Sequence, residues 1–582
     1  MLLVSGLRTS TVGDVATMGD RAETGQSNEP DSQSAAGRDS RSRSARVRGH
    51  WARLLDRVGG VVRQLERADW AVLALLVVAA VLRLYRLGEE SVWLDEALTW
   101  YRVTEQYTTV EILFVLPLED VHPPLYFLLM DLWTSVAGAS ESALRFPSVV
   151  FGVTSVGLLY LFGVKVFDRS TGAIAAALLA VSSFHLYYAQ EARMYTLMTA
   201  LTVVSFYFFV DIADEESHGR LSVLGYLVST VLLAYTHLFG TFIVLAQNAY
   251  LLSRVALSGG TVPVIGRVGT TATSLRGWLR VQALLALMVA PWWVALTVRL
   301  PTISAGGCTG ITWIPESTPA GAVSILKRYF YYCGAPETVS PIPAEAFLLV
   351  MVLAGGLVVA GLFAAGDGRP GSGELLLLVW LLTPIVVPFV LSHVVAPIMV
   401  ARYTIGASLA LFLLVGRGVQ TLRPYAPAAV RVALVGVLLL GLVAPLSGYY
   451  ESDQKRQWRD AVESIESSGD RGDLVLVTKS HLVPTYQYYA RRPPDTVVGM
   501  ERLATRETVS EAVGDRGSVW VVRSWTGRTT LGDHLRSLNY TAVETVRSQG
   551  IYARRFVRVS GQNQASRQAY SSEKTATVRS AS

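Results

Sequence analysis

The sequence predicts a polytopic α-helical membrane protein with a small α/β domain near its carboxyl end. Of its 582 residues, 51% are apolar and only 16% are charged, and the mean hydropathy is +0.38. Soluble domains carry about 25% charged residues, so a single soluble domain and a disordered chain are both excluded. Two cysteines cannot supply a disulfide framework, an iron–sulfur cluster or a four-cysteine zinc site.

Residues 1–67 are predicted to form a disordered cytoplasmic tail, because they are polar and cannot bury a core. No secretory signal is expected, since the first strongly apolar run begins near Trp70. The net charge of +6 is modest and much of the basic excess lies in this tail. That distribution favours a membrane surface as partner and argues against nucleic acid. A second polar tail is predicted for residues 559–582.

Apolar runs of spanning length recur between residues 68 and 448, and we predict eleven membrane-spanning helices there. A run of about 20 apolar residues crosses a bilayer as a helix, and slightly shorter runs span with local thinning. The predicted spans are 70–87, 147–166, 171–187, 194–212, 221–237, 239–253, 281–298, 345–365, 374–391, 404–420 and 429–447.

The short run 124–138 decides the predicted topology. It carries Asp131 and Trp133, so it either spans the bilayer or lies at its interface. If it lies at the interface, the Arg-rich loops fall on the cytoplasmic side, as the positive-inside rule requires; if it spans, they face outward. We therefore predict an interfacial helix, a cytoplasmic amino terminus, insertion in the cell membrane, and an outer loop at 88–146.

Residues 449–558 change character and are predicted to form the small α/β domain. Helix-like pieces alternate there with strand-like pieces such as 474–478, 518–522 and 551–557. An odd number of spans after a cytoplasmic amino terminus places this domain outside the cell.

The densest polar chemistry lies in the predicted outer loop, where Asp95 and Glu96 follow the first span between Trp93 and Trp100. Tryptophans favour the membrane–water interface, which places the two acids at headgroup level. A carboxylate held against apolar surface has a raised pKa, which suits a general base. The same two acids would also suit the start of an interfacial helix.

Five motifs occur in order: Trp-Leu-Asp-Glu-Ala at 93–97, His-Pro-Pro-Leu-Tyr at 122–126, Ala-Leu-Arg-Phe-Pro-Ser at 143–148, Tyr-Tyr-Ala-Gln-Glu-Ala-Arg-Met-Tyr at 187–195 and Ala-Arg-Tyr at 401–403. Together they resemble the membrane glycosyltransferases of the GT-C superfamily, family 39 type, which includes the protein O-mannosyltransferases; the lipid A aminoarabinose transferase is similar. The resemblance implies a GT-C-like fold. It also implies transfer of a sugar from a polyprenyl- or dolichyl-phosphate donor to a hydroxyl of a protein, glycan or lipid on the outer face.

The resemblance implies that Asp95 is the catalytic carboxylate, with Glu96 beside it. In the aminoarabinose transferases a lysine stands where His122 precedes the two prolines, and an acidic residue lies close by, as Asp120 does here. We therefore expect Asp120 and His122 to contact the substrate, although a histidine is only partly charged near neutral pH. Tyr403, in the last motif, is expected to bind substrate as well.

The phosphate of such a donor needs cations to hold its growing negative charge as it leaves. Arg145, Arg193 and Arg402 fall at the outer ends of predicted spans, where each could grip a phosphate with two donors. Each could instead snorkel to lipid headgroups, and Arg193 could simply pair with Glu191.

Two further residues lie at the same predicted outer level. His237 either contacts substrate or ends a helix, and Tyr195 is either an interfacial aromatic or a surface on which a sugar stacks. Asp95, Asp120 and His122 could supply ligands for a divalent ion. A monophosphate-linked donor demands a metal less than a diphosphate would, so no metal or other cofactor is expected.

Both cysteines, Cys308 and Cys333, lie in a predicted outer loop at 299–344. On the oxidising side of the membrane they could form a disulfide that staples a loop over the active site. Two free, buried thiols are the alternative.

A polytopic transporter or flippase of lipid-linked sugars is the competing interpretation. Transporters place ionisable groups near the middle of their spans, often on broken helices. The predicted spans are nearly free of charge, and the acids collect in the outer loop instead. The sequence therefore favours the enzyme.

Overall fold

A computed structural model of the chain describes residues 67–213, 219–257, 275–304, 313–332, 343–363, 370–470, 472–524 and 529–559. The predicted tails up to residue 66 and from residue 560 lie outside the described residues, as do Cys308 and Cys333.

Helices dominate the described chain as far as Glu451. A π-helix covers Arg102–Gln106 and a 3-10 turn covers Ala401–Thr404. The α-helices are α1 (Arg67–Leu84), α2 (Leu94–Tyr101), α3 (Thr109–Phe114), α4 (Leu116–Glu119), α5 (Leu125–Ala137), α6 (Glu141–Val166), α7 (Arg169–Val181), α8 (Ser183–Ala189), α9 (Tyr195–Ala213), α10 (Arg220–Thr236), α11 (Gly240–Leu257), α12 (Leu275–Ser304), α13 (Pro319–Phe330), α14 (Ala344–Leu362), α15 (Ser372–Val394), α16 (Ile405–Thr421) and α17 (Ala428–Glu451).

Seven of the described helices are long and apolar enough to cross a membrane, or eight if the bent pair α7 and α8 forms one span. The chain is therefore a multi-pass helical membrane protein. Each predicted run overlaps a described helix or this bent pair, but the count of eleven is not confirmed. Helices α1, α10 and α11 are not among the seven, and α7 ends at a 62° bend. The run 124–138 forms the 13-residue α5. A helix of that length spans about 20 Å and is shorter than the hydrocarbon core.

A buried arginine from α1 stabilises the bend between α7 and α8. The guanidinium of Arg83 donates to the carbonyl oxygens of Leu179 (3.2 Å) and Ala180 (2.9 Å), and to Nδ1 of His185 (3.0 Å). Carbonyls in the last turn of a helix have no partner within that helix. Arg83 therefore satisfies the end of α7 and fixes the direction in which α8 leaves it.

The predicted carboxyl-terminal α/β domain is present. Five strands, β1 (Leu474–Thr478), β2 (Val497–Met500), β3 (Ser518–Arg523), β4 (Tyr540–Ser548) and β5 (Ile551–Arg558), form one sheet in the order β2-β1-β3-β5-β4. Strand β1 runs parallel to β2 and β3, whereas β5 is antiparallel to β3 and β4. Val475 of β1 is in register with Val497 of β2 and Trp520 of β3. The helices of the domain are α18 (Trp458–Ser468), α19 (Val483–Gln487), α20 (Arg506–Val513) and α21 (Leu531–Ser537), with 3-10 turns at Ser480–Leu482 and Pro494–Thr496.

Helices cover both faces of this sheet. All five positions of β1 are buried, which explains its continuous apolar run, as is usual for a central parallel strand. Trp458 and Ile465 of α18 pack on one face, and Val509 of α20 and Leu535 of α21 pack on the other.

The domain is attached to the segment between α1 and α6, residues 85–140, which we call the first loop. The carboxylate of Glu90 accepts hydrogen bonds from the backbone N–H groups of Gln454 (2.8 Å) and Lys455 (3.0 Å). Arg459 donates to the carboxylate of Glu141 at the start of α6, at 2.7 Å. These contacts hold the beginning of the domain against the first loop and the start of α6.

Candidate active site

Asp95 and Glu96 lie in the first turn of α2, where the helix dipole favours acids. Successive helical residues point about 100° apart, so the two side chains enter different surroundings. The side chain of Glu96 is fully buried, whereas that of Asp95 remains 17% exposed. The two acids therefore have separate roles.

Glu96 is held by a two-pronged ion pair with Arg145. Nε of Arg145 lies 2.7 Å from Oε1, and Nη2 donates to Oε2 at 2.8 Å. The other three N–H groups of Arg145 donate to the carbonyl oxygens of Leu87, Glu90 and Ser91. A guanidinium has five N–H donors, so Arg145 has none left. The prediction that Arg145 grips a phosphate does not fit this geometry; Arg145 anchors Glu96 and the first loop instead.

A lysine that the sequence did not single out completes this cluster. Nζ of Lys455 lies 3.1 Å from Oε2 of Glu96 and donates to the carbonyl of Gln190 at 3.0 Å. The backbone N–H of Ala192 donates to Oε1 of Glu96 at 3.0 Å. Burial raises the pKa of Glu96, but Arg145 and Lys455 outweigh it and bring the pKa to about 2. Glu96 is therefore an ionised and fully bonded carboxylate that carries no proton near neutral pH.

Substitution Lys455→Met is expected to destabilise the protein by about 1.5–3 kcal/mol, the usual contribution of a hydrogen bond to a charged group. The variant removes one partner of Glu96 and leaves the carbonyl of Gln190 without its donor. Thermal unfolding in detergent micelles measures the change. Arg502→Met, at an exposed arginine of the same domain, is the matched control. Equal unfolding midpoints for the two variants would contradict this role of Lys455.

Asp95 faces two arginines. Nη2 of Arg402 lies 3.4 Å from Oδ2 of Asp95, and Arg193 is close enough to interact with it electrostatically. Burial raises the pKa of Asp95, but Arg402 and Arg193 outweigh it, so the pKa lies below its ordinary value. The prediction that the pKa of Asp95 is raised is therefore wrong. It rested on the apolar surroundings alone, whereas the two arginines have the larger combined effect. Asp95 is ionised at neutral pH.

Several buried polar atoms near Asp95 have no hydrogen-bond partner among the residues that the structure describes. They are Oδ2 of Asp95, Nε of Arg193, Nε of Arg402, the hydroxyl of Tyr195 and both carboxyl oxygens of Glu191. The alternative in which Arg193 simply pairs with Glu191 is thus not observed, since neither carboxyl oxygen of Glu191 has a hydrogen-bond partner among the described residues. Nearly all buried polar groups in proteins have partners, and the exceptions often mark catalytic sites or sites of water and ions. These atoms outline a candidate binding site.

Asp120 and His122 orient Arg193. Nδ1 of His122 lies 2.6 Å from Oδ1 of Asp120, and Nη2 of Arg193 donates to Nε2 of His122 at 2.8 Å. Because arginine can only donate, Nδ1 of His122 carries the proton and donates to Asp120. Burial lowers the pKa of His122, so the ring is neutral at pH 7. Asp120 also forms an ion pair with Arg102. The structure therefore shows Asp120 and His122 bonded within the protein, and their predicted contact with substrate stays a prediction.

Tyr195, His237 and Tyr403 form an aromatic wall beside Arg402. The rings of Tyr195 and Tyr403 are stacked with centroids 6.4 Å apart, and the centroid of His237 lies 4.9 Å from that of Tyr403. Phe239 donates its backbone N–H to Nδ1 of His237 at 3.1 Å, which fixes the ring. These three residues come from separate parts of the chain and present adjoining ring faces.

The turn that carries Arg193 is positioned by two helices. Nε2 of Gln190 donates to the carbonyls of Arg83 (3.1 Å) and Tyr85 (2.8 Å) at the end of α1. The hydroxyl of Tyr449, on α17, donates to Oε1 of Gln190 at 2.7 Å. The turn therefore keeps Arg193 at a defined place beside α2.

Comparisons with known proteins cover most of this architecture. Residues 121–294 match the model of the family described as "Dolichyl-phosphate-mannose-protein mannosyltransferase". No curated protein sequence matches the chain. Crystal structures of ArnT from Cupriavidus metallidurans are similar over 84% of this chain and 98% of theirs, at 12% identity. The TM-score is 0.55 for the apo form and 0.51 for the form bound to undecaprenyl phosphate. The chain has the GT-C fold.

This finding confirms the resemblance that the five motifs predicted. All of the predicted site residues lie in one region of the GT-C fold. The geometry does not fit a phosphate contact by Arg145, and the roles of the other residues stay predictions. Lys455 and Arg102 were missed. The only signal for Lys455 was its position just after the last apolar run.

Proposed function

We propose that this protein is a membrane glycosyltransferase that moves a sugar from a polyprenyl- or dolichyl-phosphate donor to an acceptor hydroxyl. One observation carries the proposal: the ionised carboxylate of Asp95 lies beside Arg193 and Arg402. The Nε atoms of both arginines have no hydrogen-bond partner within the described residues. A base next to an anion site is what attack on a phosphate-linked sugar requires. The matched family model and the ArnT structure with undecaprenyl phosphate support a phosphate-linked lipid as donor.

In the proposed reaction, Asp95 takes the proton of the acceptor hydroxyl as its oxygen attacks the anomeric carbon. The bond between that carbon and the phosphate oxygen breaks, and the polyprenyl phosphate leaves with the electron pair. Arg193 and Arg402 hold the phosphate with charge-assisted hydrogen bonds. Two guanidinium groups meet its charge, so we propose that the reaction requires no metal ion or other cofactor.

The remaining residues have positioning roles in this proposal. Glu96 and Arg145 hold α2, so that the carboxylate of Asp95 points at the reacting carbon. Tyr195 and Tyr403 supply a surface for the sugar ring. The acceptor is a hydroxyl of a protein, glycan or lipid.

We further propose eleven spans, a cytoplasmic amino terminus, and an α/β domain outside the cell membrane. The distribution of basic loops supports this topology, which places Asp95 on the outer face. In a variant without Cys308 and Cys333, a cysteine replacing the exposed Glu119 is expected to react with an impermeant reagent added to intact cells. Reaction only after lysis would overturn the topology.

Incubation of the purified protein with a panel of polyprenyl-phosphate sugars and hydroxyl acceptors tests the function. Mass spectrometry is expected to detect free polyprenyl phosphate and a new glycoside for at least one donor. If the protein consumes no donor but moves intact lipid-linked sugars across proteoliposome membranes, the proposed transferase activity is wrong and the protein is a flippase.

A further inference from the structure

Glu191 differs from the other buried glutamate of the site. Glu96 is bonded by Arg145, Lys455 and the backbone of Ala192. Glu191 is equally buried, at 0% exposure, yet neither of its carboxyl oxygens has a hydrogen-bond partner within the described residues. Leaving a buried polar group unpaired costs about 1–3 kcal/mol. A bound ligand that hydrogen-bonds to Glu191 removes this cost.

The surroundings of Glu191 place it at the reacting centre. It interacts electrostatically with Lys455, Asp95, Glu96 and Arg402. It lies on the same fixed turn as Arg193, held through Gln190 by contacts with α1 and α17. Glu191 is therefore a neighbour of the proposed base, and in the proposed reaction it is a candidate partner for the ring hydroxyls of a sugar whose anomeric carbon faces Asp95.

The charge state of Glu191 decides what it can bind. Burial raises its pKa to about 8, against the opposing effect of Lys455, so the carboxyl carries its proton at neutral pH. A protonated carboxyl has one O–H donor and keeps an acceptor oxygen. A sugar hydroxyl also donates and accepts, so the two groups can form a matched pair of hydrogen bonds.

We propose that Glu191 recognises a ring hydroxyl of the sugar carried by the lipid-phosphate donor. The inference rests on the proposed function and extends it, because it assigns sugar recognition to a carboxyl group separate from the base Asp95. Glu191 is thus a specificity-determining residue, whereas Arg193 and Arg402 bind the phosphate common to all such donors.

Two ligands that differ only in the sugar test this assignment. The affinities of undecaprenyl phosphate and of the best polyprenyl-phosphate sugar from the panel are measured by quenching of tryptophan fluorescence. Glu191→Ala is expected to weaken binding of the sugar-bearing lipid about tenfold, the effect of losing two neutral hydrogen bonds. Its affinity for undecaprenyl phosphate is expected to match that of Glu119→Ala, an exposed control in the first loop.

Glu191→Gln is the second variant, because an amide also donates and accepts without charge. It is expected to recover most of the affinity that Glu191→Ala loses, and it fills the same space if the alanine variant fails to fold. Equal weakening of both ligands by Glu191→Ala would overturn the proposal, and so would no weakening of either. A glutamine variant that binds the sugar-bearing lipid tenfold worse than wild type would show that charge is needed and overturn it too. Failure of the proposed function is distinguished from these outcomes by the wild-type protein, which in that case consumes no donor from the panel.

Discussion

Replacement of Asp95 by asparagine is expected to lower sugar transfer about 10³-fold, within the range that a positioned general base contributes. The amide has the size of the carboxylate but cannot take the acceptor proton. It also removes a negative charge next to Arg402, so a lipid phosphate is expected to bind at least as tightly as before. The rate of polyprenyl phosphate release, measured by mass spectrometry, and the affinity for undecaprenyl phosphate report the two effects separately.

Glu119→Gln is the matched control for this variant. Glu119 lies in the same first loop, is exposed, and accepts a hydrogen bond from the hydroxyl of Tyr107 at 2.5 Å. Loss of the negative charge of Glu119 is expected to leave the transfer rate unchanged. Similar rates for Asp95→Asn and Glu119→Gln would contradict the assignment of Asp95 as the base.

Substitution Arg145→Met is expected to cost about 3–5 kcal/mol of unfolding free energy, the range for breaking a buried ion pair from one side. The side chains of Arg145 and Glu96 are 1% and 0% exposed, so solvent cannot replace the lost partner. Three carbonyl oxygens of the first loop lose their donor at the same time. The shift of the unfolding transition in detergent micelles measures the effect.

Two further variants show how much of this loss of stability comes from the unpaired charge of Glu96 and how much from lost packing. Arg536→Met breaks an exposed pair with Asp533, whose side chains are 53% and 75% exposed, and is expected to change stability by less than about 1 kcal/mol. The double variant Arg145→Met with Glu96→Gln is expected to recover part of the lost stability, because it leaves no bare carboxylate. A double variant less stable than Arg145→Met would show that the uncompensated charge is not the cause.

Hydropathy was sufficient to find the helices, because a membrane-spanning segment must be apolar over its whole length. It could not find the bend between α7 and α8. The run 171–187 contains no charged residue, so its hydropathy predicted one span. The bend is held by Arg83, which comes from α1 and bonds to Leu179 and Ala180. In the α/β domain, strand β1 was predicted from its apolar run. The half-exposed β4, which lies at the edge of the sheet, was not.

Local motifs identified which residues form the site but not which of them are free to bind. Arg145 and Arg402 both stand at the end of an apolar run and look equivalent in the sequence. They differ because Arg145 meets Glu96 and three carbonyls, whereas Arg402 keeps a free Nε among the described residues. The pKa of Asp95 was predicted in the wrong direction for the same reason, since Arg402 is brought to it only by the fold. Lys455 likewise reaches Glu96 only through the packing of the α/β domain.

A structure of the protein with a polyprenyl-phosphate sugar bound tests the central claim most directly. The phosphate is predicted to lie within about 3 Å of guanidinium nitrogens of Arg193 and Arg402, with the anomeric carbon facing the carboxylate of Asp95. A phosphate held elsewhere, with Asp95 out of reach of the sugar, would contradict it.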